Sequence, residues 1–251
     1  MNIKKRLFPM IFLFSCMLLP LSLYGEVNFW FDFESGAAFT GYNNVQIPSD
    51  EGTRFSLADD LDPETPWFSR LQAGMDFSRH SVFLLYAPLT VVSEGPAPEN
   101  IHFYGEDFLA GEELTATYKF NSYRLTYVYE FFSSPKWELA AGLTGKVRDA
   151  YIAVADGDKE AKRTDLGFVP LIHLKVRYHL TPRFSLLLEG DGLAAPQGRA
   201  EDFLLAGVFS ASPNLELRLG YRLLEGGSDG GGSVYTFGMF HYAGFGGRLI
   251  Y

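Results

Sequence analysis

Thiol chemistry is almost absent from this chain: Cys16 is its single cysteine, and it sits inside an apolar N-terminal run. Once that run is removed, nothing is left to form a disulfide, act as a cysteine nucleophile or hold metal through sulfur. A basic surface is missing as well. The formal charge is −9, which excludes nucleic acid as a partner because phosphate binding needs a cationic face. No HExxH, GxSxG, P-loop or cysteine–histidine metal pattern occurs, so the common signatures of metalloprotease, esterase and nucleotide chemistry are lacking. Asp156-Gly157-Asp158 and Asp229-Gly230 lack the further ligands of a calcium loop and read as turns. No cofactor and no metal are expected. After Gly25 no convincing helical period is found, and there is no internal repeat. A hydrophobic fraction of 47% with a mean hydropathy of zero excludes both a polytopic helical membrane protein and a disordered chain.

Aromatic residues and glycine are abundant: 16% of the chain is aromatic and 26 residues are glycine, which suits strands, aromatic belts and turns. Lys4, Lys5 and Arg6 precede an apolar core from Leu7 to Leu23, and small residues follow near Gly25. This predicts an export signal over residues 1–25 and a single domain over 26–251. Two rival readings use the same residues. Against a retained anchor stand Pro9, Pro20 and the shortness of the run. Against a lipoprotein signal ending at Leu13-Phe14-Ser15-Cys16 stand Phe14 and the apolar stretch Met17 to Tyr24 left behind it.

Period-two alternation fills the rest. Phe168, Pro170, Ile172, Leu174, Val176, Tyr178 and Leu180 share one face of a strand, with His173, Lys175, Arg177 and His179 on the other. Pro170 removes a ladder donor, so regular pairing is expected to be disturbed there. Tyr123 to Phe131, Trp137 to Val147, Phe184 to Leu188, Leu215 to Leu223 and Val27 to Phe33 alternate in the same way. Apolar parity slips around Asn121-Ser122 and again around Arg148-Asp149. Each slip could be a β-bulge, or the first a tight turn. Short connections (residues 78–80, 133–136, 181–183 and 211–214) alternate with long polar ones (44–66, 93–112, 156–165, 193–201 and 225–233). If both slips are bulges, there are ten strands, with eight or twelve as the alternatives.

Which face points inward separates a soluble barrel from a membrane one. The apolar faces are broad, aromatic and nearly free of charge, more than a small barrel can enclose. Tyr129, Phe131, Phe132, Trp137, Tyr178, Phe184 and Phe209 gather beside the short turns, as a membrane girdle does. The chain ends on a strand carrying Phe245, Leu249 and Tyr251. In the signal, the strand layout and this terminal strand, the chain resembles bacterial outer-membrane β-barrel proteins. The resemblance implies a closed antiparallel transmembrane β-barrel with short periplasmic turns and long extracellular loops. It also implies outer-membrane lipid as surroundings, and barrel-assembly machinery reading the strand that ends at Tyr251.

The lumen would then hold Asp32, Glu34, Arg70, Arg124, Glu130, Lys146, Arg148, His173, Lys175, Arg177, Glu189, Asp191, Glu216, Arg218, Arg222 and Arg248. Carboxylates and cations at similar heights read either as a mutually paired ionic filling or as a polar pocket for a small solute. The cluster His173, Lys175 and Arg177, facing Glu189 and Asp191, is the candidate site. No catalytic residue is assigned. His80 and Ser81 lie on opposite faces, His102 and Asp107 fall in a long loop, and His241 lies on the apolar face of the last strand. The expected role is therefore non-enzymatic: structural, adhesive or ligand-contacting through the extracellular loops. A barrel enzyme acting on lipid or peptide is the alternative, and a narrow solute channel the third.

Overall fold

The computed structural model describes residues 27–251; the reading of residues 1–25 as an export signal lies outside them. Among the described residues every regular element is a strand. In chain order these are β1 (Val27–Gln46), β2 (Phe55–Ser56), β3 (Asp62–Pro63), β4 (Trp67–Phe77), β5 (His80–Ala87), β6 (Thr90–Pro96), β7 (Ile101–Phe103) and β8 (Glu106–Phe108). There follow β9 (Glu113–Ser133), β10 (Trp137–Ala155), β11 (Glu160–His179), β12 (Phe184–Ala195), β13 (Gly198–Ser212), β14 (Leu215–Asp229) and β15 (Tyr235–Ile250).

β5 and β6 both pair with β9 and form one wall strand, interrupted at Pro88, which has no N–H to donate. With that pair counted once, ten antiparallel strands form the wall, and β15 closes it against β1. Closure can be followed through the registers. From Ile172 the ladders lead through Gly192, Glu201, Glu225 and Met239 to Tyr42. In the other direction they lead through Leu143, Tyr127, Val82 and Met75 to Phe29. The offset between Tyr42 and Phe29 along β1 is the stagger that tilts the strands of a closed barrel.

Orientation follows the membrane reading. Leu143, Phe168 and Leu219 on the outer face are 68%, 70% and 73% exposed, whereas Arg124 and Asp202 inside are nearly fully buried. Leu174 and Leu217 are likewise exposed. A bilayer-spanning barrel carries its outward apolar residues in a band about 25 Å tall, flanked by aromatic girdles.

Both parity slips have a different cause from the expected bulges. β9 and β10 pair without a break through Asn121–Asp149 and Ser122–Arg148, and even-numbered residues point inward on both sides of the slips; the register shifts only far below them, at Phe131. The environment changes instead of the backbone. Below the slip, lipid lies outside and charge inside. Above it, water lies outside, and Leu114, Ala116, Tyr118, Ile152 and Val154 face an apolar interior. A real bulge occurs in β1 between Thr40 and Tyr42. There Gly41 makes room for His241, whose Nε2 would lie 2.6 Å from a Cβ at that position.

Three of the five long polar segments are largely wall. The turns between β10 and β11, β12 and β13, and β14 and β15 shrink to residues 156–159, 196–197 and 230–234. Above the bilayer a strand can carry polar residues on its water face, so polarity no longer marks a loop. The other two segments fold over the mouth. Phe55, Leu57 and Leu61 from residues 47–66, with Ile101, Phe103 and Phe108 from residues 97–112, pack on Val45, Ile47, Phe240 and Tyr242. Each large side chain buried this way contributes roughly 1.5–3 kcal/mol. Hydrogen bonds from Tyr104 N to Ile47 O (2.8 Å) and from Thr53 N to His102 O (2.9 Å) tie the two segments together.

The expected disturbance at Pro170 falls on one side only. Pairing with β10 runs through Gly145–Pro170, but pairing with β12 stops at Ile172–Gly192. Above that level β11 has a single neighbour, the position in a sheet that tolerates proline.

Candidate functional site

Beneath the apolar cap, alternate residues of β1, β4, β9, β11, β12, β13, β14 and β15 bring charged side chains to one layer of the lumen. Asp202 is its centre. Its Oδ2 accepts hydrogen bonds from Arg70 (2.9 Å) and Arg124 (2.5 Å), and its Oδ1 from Arg222 (2.6 Å). Arg222 also donates twice to Glu34, at 2.8 and 2.7 Å, while Arg218 grips Asp32 bidentately at 2.5 and 2.6 Å. Arg248 reaches the same Asp32 at 3.2 Å. Planar guanidinium forks match carboxylates two bonds at a time, which explains the dominance of arginine over lysine here. Removed from water, each ion would be costly alone; here Asp32, Glu34 and Asp202 each accept from two or three guanidinium groups, while Arg70 rests on Asp202 alone and the Nε atoms of Arg70 and Arg218 have no partner.

The five residues singled out from sequence divide into two groups. His173, Glu189 and Asp191 come together: His173 Nδ1 is 3.0 Å from Asp191 Oδ1, and its Nε2 is 3.6 Å from Glu189 Oε1. Asp191 also accepts from Arg124 at 2.7 Å and from Thr144 at 2.6 Å, and Thr144 bonds Thr126 at 2.8 Å. Arg177 turns to Glu216 at 2.7 Å instead of joining them. Lys175 lies opposite Glu189 in the ladder, but no carboxylate comes within ion-pair distance of it among the described residues. Arg148 stands above the layer, half-buried and paired with Asp165.

Asp202 was not recognised in the sequence. Its strand is apolar on both faces, with Leu204, Ala206 and Val208 inside and Phe203, Leu205 and Phe209 outside. No alternation therefore announced which way Asp202 points.

The chemistry open to this layer is limited by what touches the imidazole. The Thr144 hydroxyl donates to Asp191, not to His173, so the imidazole has no hydroxyl in reach to deprotonate. The other four histidines are also engaged. His80 bonds Tyr127 on the outer face (2.8 Å), and Ser81 bonds Asp76 on the inner face (2.5 Å), so these two residues do point apart. His241 bonds Tyr221 (2.6 Å), and His179 bonds Glu138 (2.8 Å). His102 and Asp107, which the sequence places in a long loop, face each other across β7 and β8 at 2.7 Å, exposed at the outer rim. No group of three or more His, Cys, Asp or Glu among the described residues is placed to hold a metal. Cavities left between Lys175, Glu189 and Arg248, and between Gln72, His173 and Arg222, are no larger than one or two water molecules.

No family model matches the chain, and no curated protein matches its sequence. Its fold is that of an outer-membrane β-barrel. The outer membrane protease OmpT from Escherichia coli is similar in structure, with a TM-score of 0.56 at 9% identity, over 89% of this chain and 97% of that one. More distant likenesses include the outer membrane channel from Pseudomonas putida F1 (TM-score 0.41, 10% identity, 90% of this chain and 96% of that one). Another is the attachment invasion locus protein Ail of Yersinia pestis, crystallised with sucrose octasulfate (TM-score 0.38, 11% identity, 88% and 99%). At such identities the likeness to the protease is one of fold.

Proposed function

We propose that this protein is a non-conducting, non-enzymatic outer-membrane barrel that works as a structural, adhesive or ligand-contacting surface. The observation that carries this reading is a double seal: an ionic layer at bilayer height and an apolar cap of folded loops above it. The cluster His173, Lys175, Arg177, Glu189 and Asp191 belongs to the filling in this reading. What remains available to partners is the polar wall of β6, β9, β10 and β11, which stands above the lipid band, together with the outer side of the cap. Reconstitution into planar bilayers tests the claim. No conductance steps are expected, and a steady conductance from the unmodified protein refutes it.

Delivery follows the sequence: export with cleavage near Gly25, then insertion guided by assembly machinery engaging the strand that ends at Tyr251. N-terminal sequencing of membrane-extracted protein checks the first step. A residue 26 or neighbouring start is expected, and an intact Met1 or a lipidated Cys16 counts against it. The enzyme reading retains one specific observation, the His102–Asp107 pair at the rim. Peptide or lipid hydrolysis that disappears in His102→Ala would favour it.

A further inference from the structure

Across the outer face of β9, β10 and β11 the side chains form horizontal rows. Tyr123, Val147 and Phe168 make the last row that is wholly apolar or aromatic. Above it come Asn121, Asp149 and Leu166, then Lys119, Tyr151 and Thr164, then Thr117, Ala153 and Lys162. Two lysines therefore stand just where the hydrocarbon ends. Lys162 Nζ lies 3.9 Å from the centre of the Tyr151 ring, and Lys119 Nζ lies 5.6 Å from it. Lys119 shares its charge with Asp149 at 2.7 Å. Lys162 has no carboxylate within ion-pair distance among the described residues, so its cation is uncompensated and open to the surface. The other outward charges at comparable height are the carboxylate Glu160, one row above Lys162 on the same face but not bonded to it, the carboxylates Glu94 and Glu201, and Arg199 and Glu225 bonded to each other. Lys162 is thus the ammonium of these rows that no carboxylate bonds among the described residues, Lys119 being held by Asp149.

We infer that Lys119, Tyr151 and Lys162 form a seat for the phosphate of an outer-leaflet lipid, whose acyl chains lie on Tyr123, Val147, Phe168 and Leu166 below. Position selects the occupant. An ammonium one or two rows above an apolar belt meets lipid headgroups before it meets anything in solution, and the Tyr151 ring holds both stems at that depth. Lipid phosphate supplies the counter-charge that the wall itself does not supply to Lys162.

The test uses the full chain folded in detergent, titrated with a fluorescent bisphosphorylated, acylated glucosamine disaccharide and with its dephosphorylated counterpart. The phosphorylated lipid is expected to bind about thirty-fold more tightly, the combined contribution of two lysines near an anionic surface. K119Q/K162Q is expected to abolish that preference while keeping heat-modifiable migration, and K136Q, at a turn on the opposite end, to leave it unchanged. Lys162→Gln alone breaks no ion pair, so its several-fold loss is readable even if the double variant folds poorly. Equal binding of the two lipids, or an undiminished preference in Lys162→Gln, overturns the proposal. Displacement of the lipid by millimolar inorganic phosphate also overturns it, since the site would then take free phosphate.

Discussion

Replacing Asp202 with asparagine keeps the side-chain shape and removes one charge from the centre of the lumen. Three guanidiniums then lose their shared acceptor. Arg70 is left without a contacting carboxylate, Arg124 keeps Asp191, and Arg222 keeps Glu34. Three charge-assisted hydrogen bonds are weakened, each of the kind that contributes roughly 1.5–3 kcal/mol. Part of this is recovered as Arg124 and Arg222 settle on their remaining acids, so a net loss of about 3–5 kcal/mol is expected, typical of a buried ion network with one partner removed. Arg70 bears most of it, being nearly fully buried with no alternative acceptor. Urea unfolding of vesicle-inserted protein, followed by tryptophan fluorescence, measures the change. Asp202→Asn combined with Arg70→Met serves as the compensating control and is expected to recover more than half of the loss. An Asp202→Asn variant within about 0.5 kcal/mol of the parent, the usual range for inconsequential substitutions, would show that the layer is not held by this carboxylate.

Other outcomes follow from the same geometry. Leu219→Arg, on the lipid face at mid-wall, is expected to cost about 2–4 kcal/mol in vesicles, while Thr117→Arg above the band costs close to nothing; equal penalties in paired urea titrations would misplace the bilayer. Phe103→Ala empties the middle of the cap and costs about 3–5 kcal/mol, yet the loss is local, so faster proteolysis within residues 97–112 without any bilayer conductance is expected. Gly142→Ala would put a Cβ 2.0 Å from the Tyr127 carbonyl oxygen and is expected to yield no heat-modifiable barrel on refolding. Finally, slight burial pushes the Asp156 carboxyl up, but the backbone N–H groups of Asp158 and Lys159 and the Lys159 ammonium outweigh it and hold the carboxyl below its ordinary value near 3.8. A depressed carboxyl stabilises the turn above that ordinary value and ceases to do so as pH falls below it. Amide protection factors at residues 156–159, corrected for the intrinsic fall of exchange rate with pH, are therefore expected to hold until pH drops below that ordinary value, and a loss of protection well above it would contradict the reasoning.

The alternation of Phe168 to Leu180, of Tyr123 to Phe131 and of Leu215 to Leu223 was enough to give strands, their faces and ten wall segments. Period-two chemistry is written locally, and lipid outside with charge inside leaves a strong contrast between neighbours. That contrast fails where its cause disappears. Around Asn121 and Arg148 the strands leave the bilayer, so unbroken backbone carries inverted chemistry and imitates a bulge. At Asp202 both faces are apolar, and nothing in the neighbouring residues says that it points inward.

The candidate site was legible in part for the same reason. His173 and Asp191 sit opposite each other in adjacent strands joined by a short turn, so their meeting follows from local register. Arg70, Arg124 and Arg222 come from β4, β9 and β14 and converge on Asp202 only because the sheet closes with a particular stagger. The sequence by itself determined a strand-built chain with a greasy side and a charged side. Which charges share a bond, and that two loops fold inward to seal the mouth, only the closed barrel decided, because those contacts depend on the circumference and tilt of the whole wall.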